Sequence, residues 1–292
     1  MRKIVIIYVA FSLTMAFNAF CQSDSSIAYL EDIHLITDGY SRYGIPKISP
    51  SGDRVLTTRN RDTLIYIDLK SNREVVLLTG ASYPRYYWID NTQVFYDERY
   101  YPKKTINQGI LSINSFQERI LYTNVIKDYS IPEKRKTIPI IYTGKYIITY
   151  DLEKKRVYRE IKGSLIELTK DTGMYFEFVL SHNEERIIIH STNGGAYNYD
   201  FEGNDSPWHI VNGIVTSWSP DDNYLLYYVG RGEEPNYTSE LYICSSDGVI
   251  HQQLTDTKHL REMRPSWSDN SNKIVFFDDI SNQLYVSTII VE

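Results

Sequence analysis

Six short motifs recur along the chain at a nearly constant interval. "LITD" begins at residue 35, "LLTG" at 77, "LYTN" at 121, "ELTK" at 167, "HIVN" at 209 and "QLTD" at 253, giving spacings of 42, 44, 46, 42 and 44. Self-similarity at such a period marks a repeat architecture in which each repeat is one supersecondary unit. A second series is interleaved. "KISPSGDRVL" (47–56), "SWSPDDNYLL" (217–226) and "SWSDNSNKIV" (266–275) each place an apolar residue and Ser before a Pro/Asp/Gly/Asn turn and an apolar strand. "YWIDNTQVFY" (87–96), "IIYTGKYIIT" (140–149) and "VLSHNEERII" (179–188) are weaker copies. Pro presets φ and Asp, Asn and Gly tolerate tight turns, so each copy reads as an antiparallel hairpin.

Two hairpins per unit make four strands, a to d, and units of about 44 residues with four short strands predict an all-β propeller. The ends of the chain decide how it closes. After "QLTD" ends at 256, only 36 of the 292 residues remain, enough for strands a, b and c (264–268, 273–277, 283–291) and no fourth. The missing strand is expected at the other end, in "DIHLIT" (32–37), because an open sheet edge exposes unpaired backbone groups. The count is then six blades: 44–80, 84–124, 138–170, 174–212, 214–256, and a composite of 264–292 with 32–38. Together they make a single propeller over 22–292.

Residues 1–21 read as a signal peptide. Arg2 and Lys3 precede an apolar run from Ile4 to Phe17, and Ala19 and Cys21 stand at the −3 and −1 positions for cleavage before Gln22. Export to the periplasm or beyond follows, and a lipid anchor at Cys21 is the alternative, with bulky Phe20 against it. The run is too short to span a bilayer, which takes about 20 residues. Without Arg2 and Lys3 the formal charge moves from −6 to 29 − 37 = −8, a poor balance for gripping nucleic-acid phosphates. Cleavage leaves Cys244 alone, so packing rather than an intrachain disulfide must hold the fold.

"SWSPDDNYLLYY" and "ELYICSSDGVIHQQLTD" resemble the repeats of the TolB-type, WD40-like (PD40) propellers of the bacterial cell envelope, over essentially all of 32–292. The resemblance implies the fold and a binding role more than a chemistry, since one fold carries many functions. TolB itself carries an α/β domain before its propeller, for which residues 22–31 leave no room. Oligogalacturonate lyases resemble the repeat too, but they are seven-bladed with a histidine-rich metal site, whereas this chain counts six.

No G-x-S-x-G or H-E-x-x-H pattern occurs. His34, His209 and His251 fall on d strands, His182 in an a–b turn, His190 on a b strand and His259 in a d–a loop, so no metal site is expected. No catalytic residue and no cofactor are assigned. Adjacent acids such as Asp221–Asp222 and Asp278–Asp279 read as solvated turns. The d–a and b–c loops share one face, where Arg42, Tyr43, Arg85, Tyr86, Tyr100, Tyr101, Arg261 and Arg264 gather. Tyr and Arg anchor interfaces through wide flat contacts and hydrogen bonds. The expected role is a non-catalytic module that takes a protein or peptide partner there. The alternative is a secreted carbohydrate-binding or carbohydrate-active propeller working on an acidic glycan.

Overall fold

The structure is a computed structural model that describes residues 27–100, 105–125, 137–142, 146–161, 164–170, 173–192, 194–202 and 207–292. The leader, Cys21 and Tyr101 lie outside the described residues, as does the side chain of Tyr100. The described residues are all-β: among them, six four-stranded antiparallel sheets form the blades.

Blade one holds β2 (Lys47–Ile48), β3 (Arg54–Arg59), β4 (Thr63–Asp68) and β5 (Arg73–Thr79). Blade two holds β6 (Ser82–Trp88), β7 (Gln93–Tyr100), β8 (Thr105–Ser112) and β9 (Glu118–Val125). Blade three holds β10 (Thr137–Tyr142), β11 (Ile147–Asp151), β12 (Arg156–Ile161) and β13 (Ser164–Glu167). Blade four holds β14 (Tyr175–Leu180), β15 (Arg186–Ser191), β16 (Gly195–Asp200) and β17 (Trp208–Val211). Blade five holds β18 (Ile214–Trp218), β19 (Tyr224–Arg231), β20 (Thr238–Ser245) and β21 (His251–Gln253). Blade six joins β22 (Glu262–Trp267), β23 (Lys273–Asp278) and β24 (Gln283–Val291) to β1 (Ala28–Leu35), in the order β1-β24-β23-β22.

The closing strand starts four residues earlier than expected, at Ala28, which is fully buried against Leu226, Leu241 and Ile289. It pairs with β24 from Ala28↔Val291 to Leu35↔Tyr285, with a bulge between Glu31 and His34 where Asp32 takes a left-handed φ of 55°. Ile36 N–H then bonds Leu284 O at 3.0 Å. Thr37 Oγ1 accepts from Leu284 N at 3.2 Å and donates to Gln283 Oε1 at 2.7 Å. The same device explains the repeat: Thr255 Oγ1 accepts from Leu241 N at 2.8 Å and Thr169 Oγ1 from Val157 N at 2.9 Å. The residue before each Thr (Ile36, Leu168, Leu254) is buried between blades. "LITD" is thus the end of a d strand.

The hairpin motif also has a physical cause. Ser49, Ser181 and Ser219 are buried, and each hydroxyl accepts the amide of the first b-strand residue, at 3.1, 2.9 and 2.9 Å. Each also donates to an Asp or Asn side chain of the turn. A buried serine without such partners would cost about 1–3 kcal/mol.

Apolar clusters fill the seams between successive blades. One joins blade six to blade one through Ile36, Tyr43, Val55, Ile65, Val275 and Leu284. Side chains also stitch the innermost strands together. Trp88 Nε1 donates to Lys47 O at 2.8 Å and Trp218 Nε1 to Val179 O at 3.0 Å. Ser266 Oγ accepts from Ile48 N at 3.2 Å, and Ser217 Oγ from Trp267 N at 3.0 Å.

Two loop assignments change. Around Tyr100, expected on a b–c loop, residues 97–100 and 105–108 are strand, because Asp97↔Gln108 and Glu98↔Asn107 pair across β7 and β8. Their side chains bond too, Gln108 Nε2 to Asp97 Oδ1 at 2.9 Å and Asn107 Nδ2 to Glu98 Oε2 at 2.7 Å. Arg85, Tyr86 and Arg264, expected in d–a loops, lie on the innermost strands β6 and β22. Pro84 and Pro265 fall inside register shifts of those strands, where a proline lacking an N–H is accommodated.

Candidate functional site

The inner strands enter the ring from the face of the d–a and b–c loops, so their first residues rim the central channel. Arg264 sits on β22 with a left-handed φ of 53°, in a register shift between Met263 and Ser266. A positive φ in a bulky residue is a strained geometry that the surroundings must hold. Arg264 Nη1 donates to Glu177 Oε2 at 2.5 Å, and its guanidinium lies 5.6 Å from the Tyr228 ring centroid. Glu177 is on β14, so the pair reaches from blade six to blade four past blade five. In the gap Thr216 Oγ1 donates to Pro265 O at 2.5 Å.

Deeper in the same channel lies Lys47. Ile48, Trp218 and Trp267 are equivalent, each opposite the second residue of its b strand. Lys47 therefore shares a level with Ser217 and Ser266, two residues below Arg264. At about 3.3 Å per residue, that is roughly 5–7 Å deeper. Burial lowers the ammonium's pKa, and the charges of Glu177 and Arg264 act on it with opposite signs. His190, fully buried on β15, has its pKa lowered to about 4 by burial, so its ring is neutral at neutral pH. Its Nε2 lies 3.1 Å from both Val215 N and Val215 O.

Apolar side chains surround the mouth. Phe176 on β14 is 48% exposed, Met174 63% and Ile45 39%. Tyr40, in the loop from blade six to blade one, is 95% exposed. Asp38 holds that loop, its Oδ1 accepting the amides of Tyr40 and Ser41, both at 2.8 Å.

The residues singled out from the sequence divide sharply. Tyr43 and Tyr86 are buried, the first bonding Glu74 and the second donating to Ile45 O at 2.7 Å. Both work as interblade packing, Tyr86 turned inward by alternation along β6 and Tyr43 held by an isolated bridge to Arg59. Arg85 Nε donates to Asp97 Oδ2 at 2.5 Å and its Nη1 to Ile140 O at 3.2 Å, tying blade two to blade three. Arg261 makes a two-pronged pair with Glu234, at 2.6 and 3.0 Å, beneath the Tyr237 ring. Arg42 is exposed, its backbone amide bonding Asn60 Oδ1. Lys47, Glu177, Phe176 and Met174 were not singled out. The signal that could have flagged them is their place just before or at the start of an a strand.

A second cluster lies on the opposite face, in the a–b turns of blades four, five and six. His182 Nδ1 is 2.8 Å from Asp222 Oδ1, and its Nε2 is 3.0 Å from Asp269 Oδ1. Asp222 also accepts the amides of His182 and Asn183, both at 2.9 Å. The Asp269 and Asp222 carboxylates push His182 up to about 9, against the cost of desolvation. Because the folded pKa lies above the unfolded 6.5, this stabilisation is complete below about pH 6.5 and is lost as the pH rises through 9. Its ceiling is about 3 kcal/mol, less after solvent screens the half-exposed Asp269. Urea midpoints at pH 6 and 9.5 are expected to differ less in His182→Gln than in the parent. Equal differences would remove the charge from this clamp.

Among the described residues, no group of three or more His, Cys, Asp or Glu side chains is placed to hold a metal ion. Cys244 is buried, and burial pushes its thiol up to about 12, as for a packing residue. Asp278 is buried as well, contrary to the solvated turn expected of it. Its carboxylate accepts the amides of Arg261, Ile280 and Ser281.

No protein-family model matches the chain, and no curated protein sequence matches it. Solved structures do. An oligogalacturonate lyase from Vibrio parahaemolyticus superposes with a TM-score of 0.54 at 11% identity, over 92% of this chain and 95% of that one. TolB from Acinetobacter baumannii gives 0.55 at 17% identity, over 86% of this chain and 64% of TolB. An oligogalacturonate lyase in complex with manganese gives 0.53 at 12% identity, over 88% of this chain and 93% of that one. At these identities the similarity speaks to the propeller fold alone.

Proposed function

We propose that the chain is an exported, non-catalytic propeller that binds a protein or peptide partner on the face of the d–a and b–c loops. One observation carries the reading: exposed Ile45, Met174 and Phe176 surround a charged channel on that face. Apolar contacts around a polar centre are the usual make-up of a recognition site. The leader-like residues 1–21 support export, and the repeats' resemblance to TolB-type propellers agrees with a binding role.

Dodecapeptides displayed on phage and panned on the immobilised protein are expected to include binders that Phe176→Ser weakens about tenfold or more. Phe176 is a better probe than Tyr86, whose removal would disturb the core. Enriched peptides that bind Phe176→Ser and the parent equally would contradict the proposed face. The two lyases favour one alternative, a propeller acting on an acidic glycan. Incubation with oligogalacturonate would then generate unsaturated product absorbing in the ultraviolet, and the binding-module reading expects none.

A further inference from the structure

We infer that the channel carries a subsite for a single carboxylate, centred on the Lys47 ammonium, and that it takes the free C-terminus of a peptide. The inference rests on the peptide-binding reading above and adds the group recognised.

Its first support is a charge imbalance. Arg264 faces Glu177 and Arg85 faces Asp97, each pair at 2.5 Å. Lys47 stands within the field of Glu177 and Arg264, yet no described residue lies within hydrogen-bond or ion-pair reach of its ammonium. Lys47 is half-buried, and a cation without a partner beside an ion pair draws an anion more strongly there than in open water. The second support is depth. Lys47 lies below the Arg264–Glu177 pair, so a group held between the two levels would meet the ammonium from one side and the guanidinium from the other. Arg264 has donors left beyond the one given to Glu177, since a guanidinium carries five. The third is shape: one excess cation matches one carboxylate, whereas a polyuronate brings several. Ile45, Met174 and Phe176 at the mouth suit the apolar side chains of a peptide's last residues. Glu177 at the same level repels a second negative charge.

The probes are N-acetyl-Leu-Phe, its C-terminal amide, and trigalacturonate, each titrated calorimetrically into the mature protein. The acid is expected to bind at least about tenfold more tightly than the amide, as loss of one charge-assisted contact implies. Lys47→Met is expected to erase that preference and Lys47→Arg to retain most of it. In the unaltered protein, the acid and not the amide should protect Lys47 from trinitrobenzenesulfonate, read by mass spectrometry, which makes the test independent of any variant's folding. If acid and amide bind alike, with affinity lost in Phe176→Ser but not in Lys47→Met, the carboxylate subsite is overturned and the peptide-binding face stands. If only trigalacturonate binds and protects Lys47, the peptide terminus is overturned together with the reading it rests on. If none of the three binds at millimolar concentration or protects Lys47, the subsite is overturned.

Discussion

Gly109→Ala is expected to destabilise the protein by about 3 kcal/mol or more, although it adds one methyl group. Gly109 on β8 lies opposite Tyr96 on β7, and the Tyr96 ring folds over the glycine. A Cβ at 109 would stand 2.6 Å from Tyr96 Cζ and 2.8 Å from its Cε1. Tyr96 is fully buried, packed with Leu111, Val94 and Tyr83 in the seam between blades one and two, and has no solvent to swing into. Overpacking a core costs about 1–3 kcal/mol. Driving the ring out adds the loss of a large buried side chain, about 3–5 kcal/mol for an aromatic removed from a core. Chemical denaturation of Gly109→Ala, Tyr96→Ala and the double variant checks the cause. Once Tyr96 is gone the alanine should cost little, so the two changes should be strongly non-additive. Additive costs would place the strain elsewhere.

What could be read from residues alone followed a physical division. The blade count, the a–b turns and the closing strand were legible because they depend on recurring local chemistry: a Thr ending strand d in five of the six motifs, and a Ser before the a–b turn in four of the six. A repeat averages away local ambiguity, which is why "LITD" could be recognised as an orphaned strand end. The candidate site was much less legible. "SYPRYYW" looks like a Tyr- and Arg-rich loop, yet it forms β6, and alternation turns Tyr86 inward while Arg85 meets Asp97. The register shifts in the inner strands hide which residues face the channel, because one extra residue reverses the side-chain alternation. His182 meets Asp222 and Asp269 from 40 and 87 residues away, a convergence set by ring closure that no local pattern encodes. Lys47, first residue of a two-residue strand, gives no sign in the sequence that it is pulled inside the ring.

The closing strand carries the other large effect. Without β1, the whole length of β24 from Tyr285 to Val291 becomes an open edge, and Leu226, Leu241 and Ile274 lose the cover of Ala28. Ile36 leaves the seam between blades six and one, where it packs near Val275 and Leu284. Burial of an Ile side chain contributes about 1.5–3 kcal/mol, and six cross-strand pairs are lost with it. A total near 5 kcal/mol is expected, which for a domain of this size lowers Tm by about 10–20 °C. The exposed edge should also promote self-association. A synthetic peptide spanning residues 27–38, added in trans to a chain lacking residues 1–38, should dock on β24 as a strand and restore most of the lost stability. Calorimetric melting of full-length protein, truncated chain, and truncated chain with peptide therefore tests the ring closure most directly. The closed ring predicts a large fall in Tm on truncation and a concentration-dependent recovery with the peptide. A truncated chain that melts within about 2 °C of the full-length protein, against the expected 10–20 °C, and ignores the peptide, would contradict it.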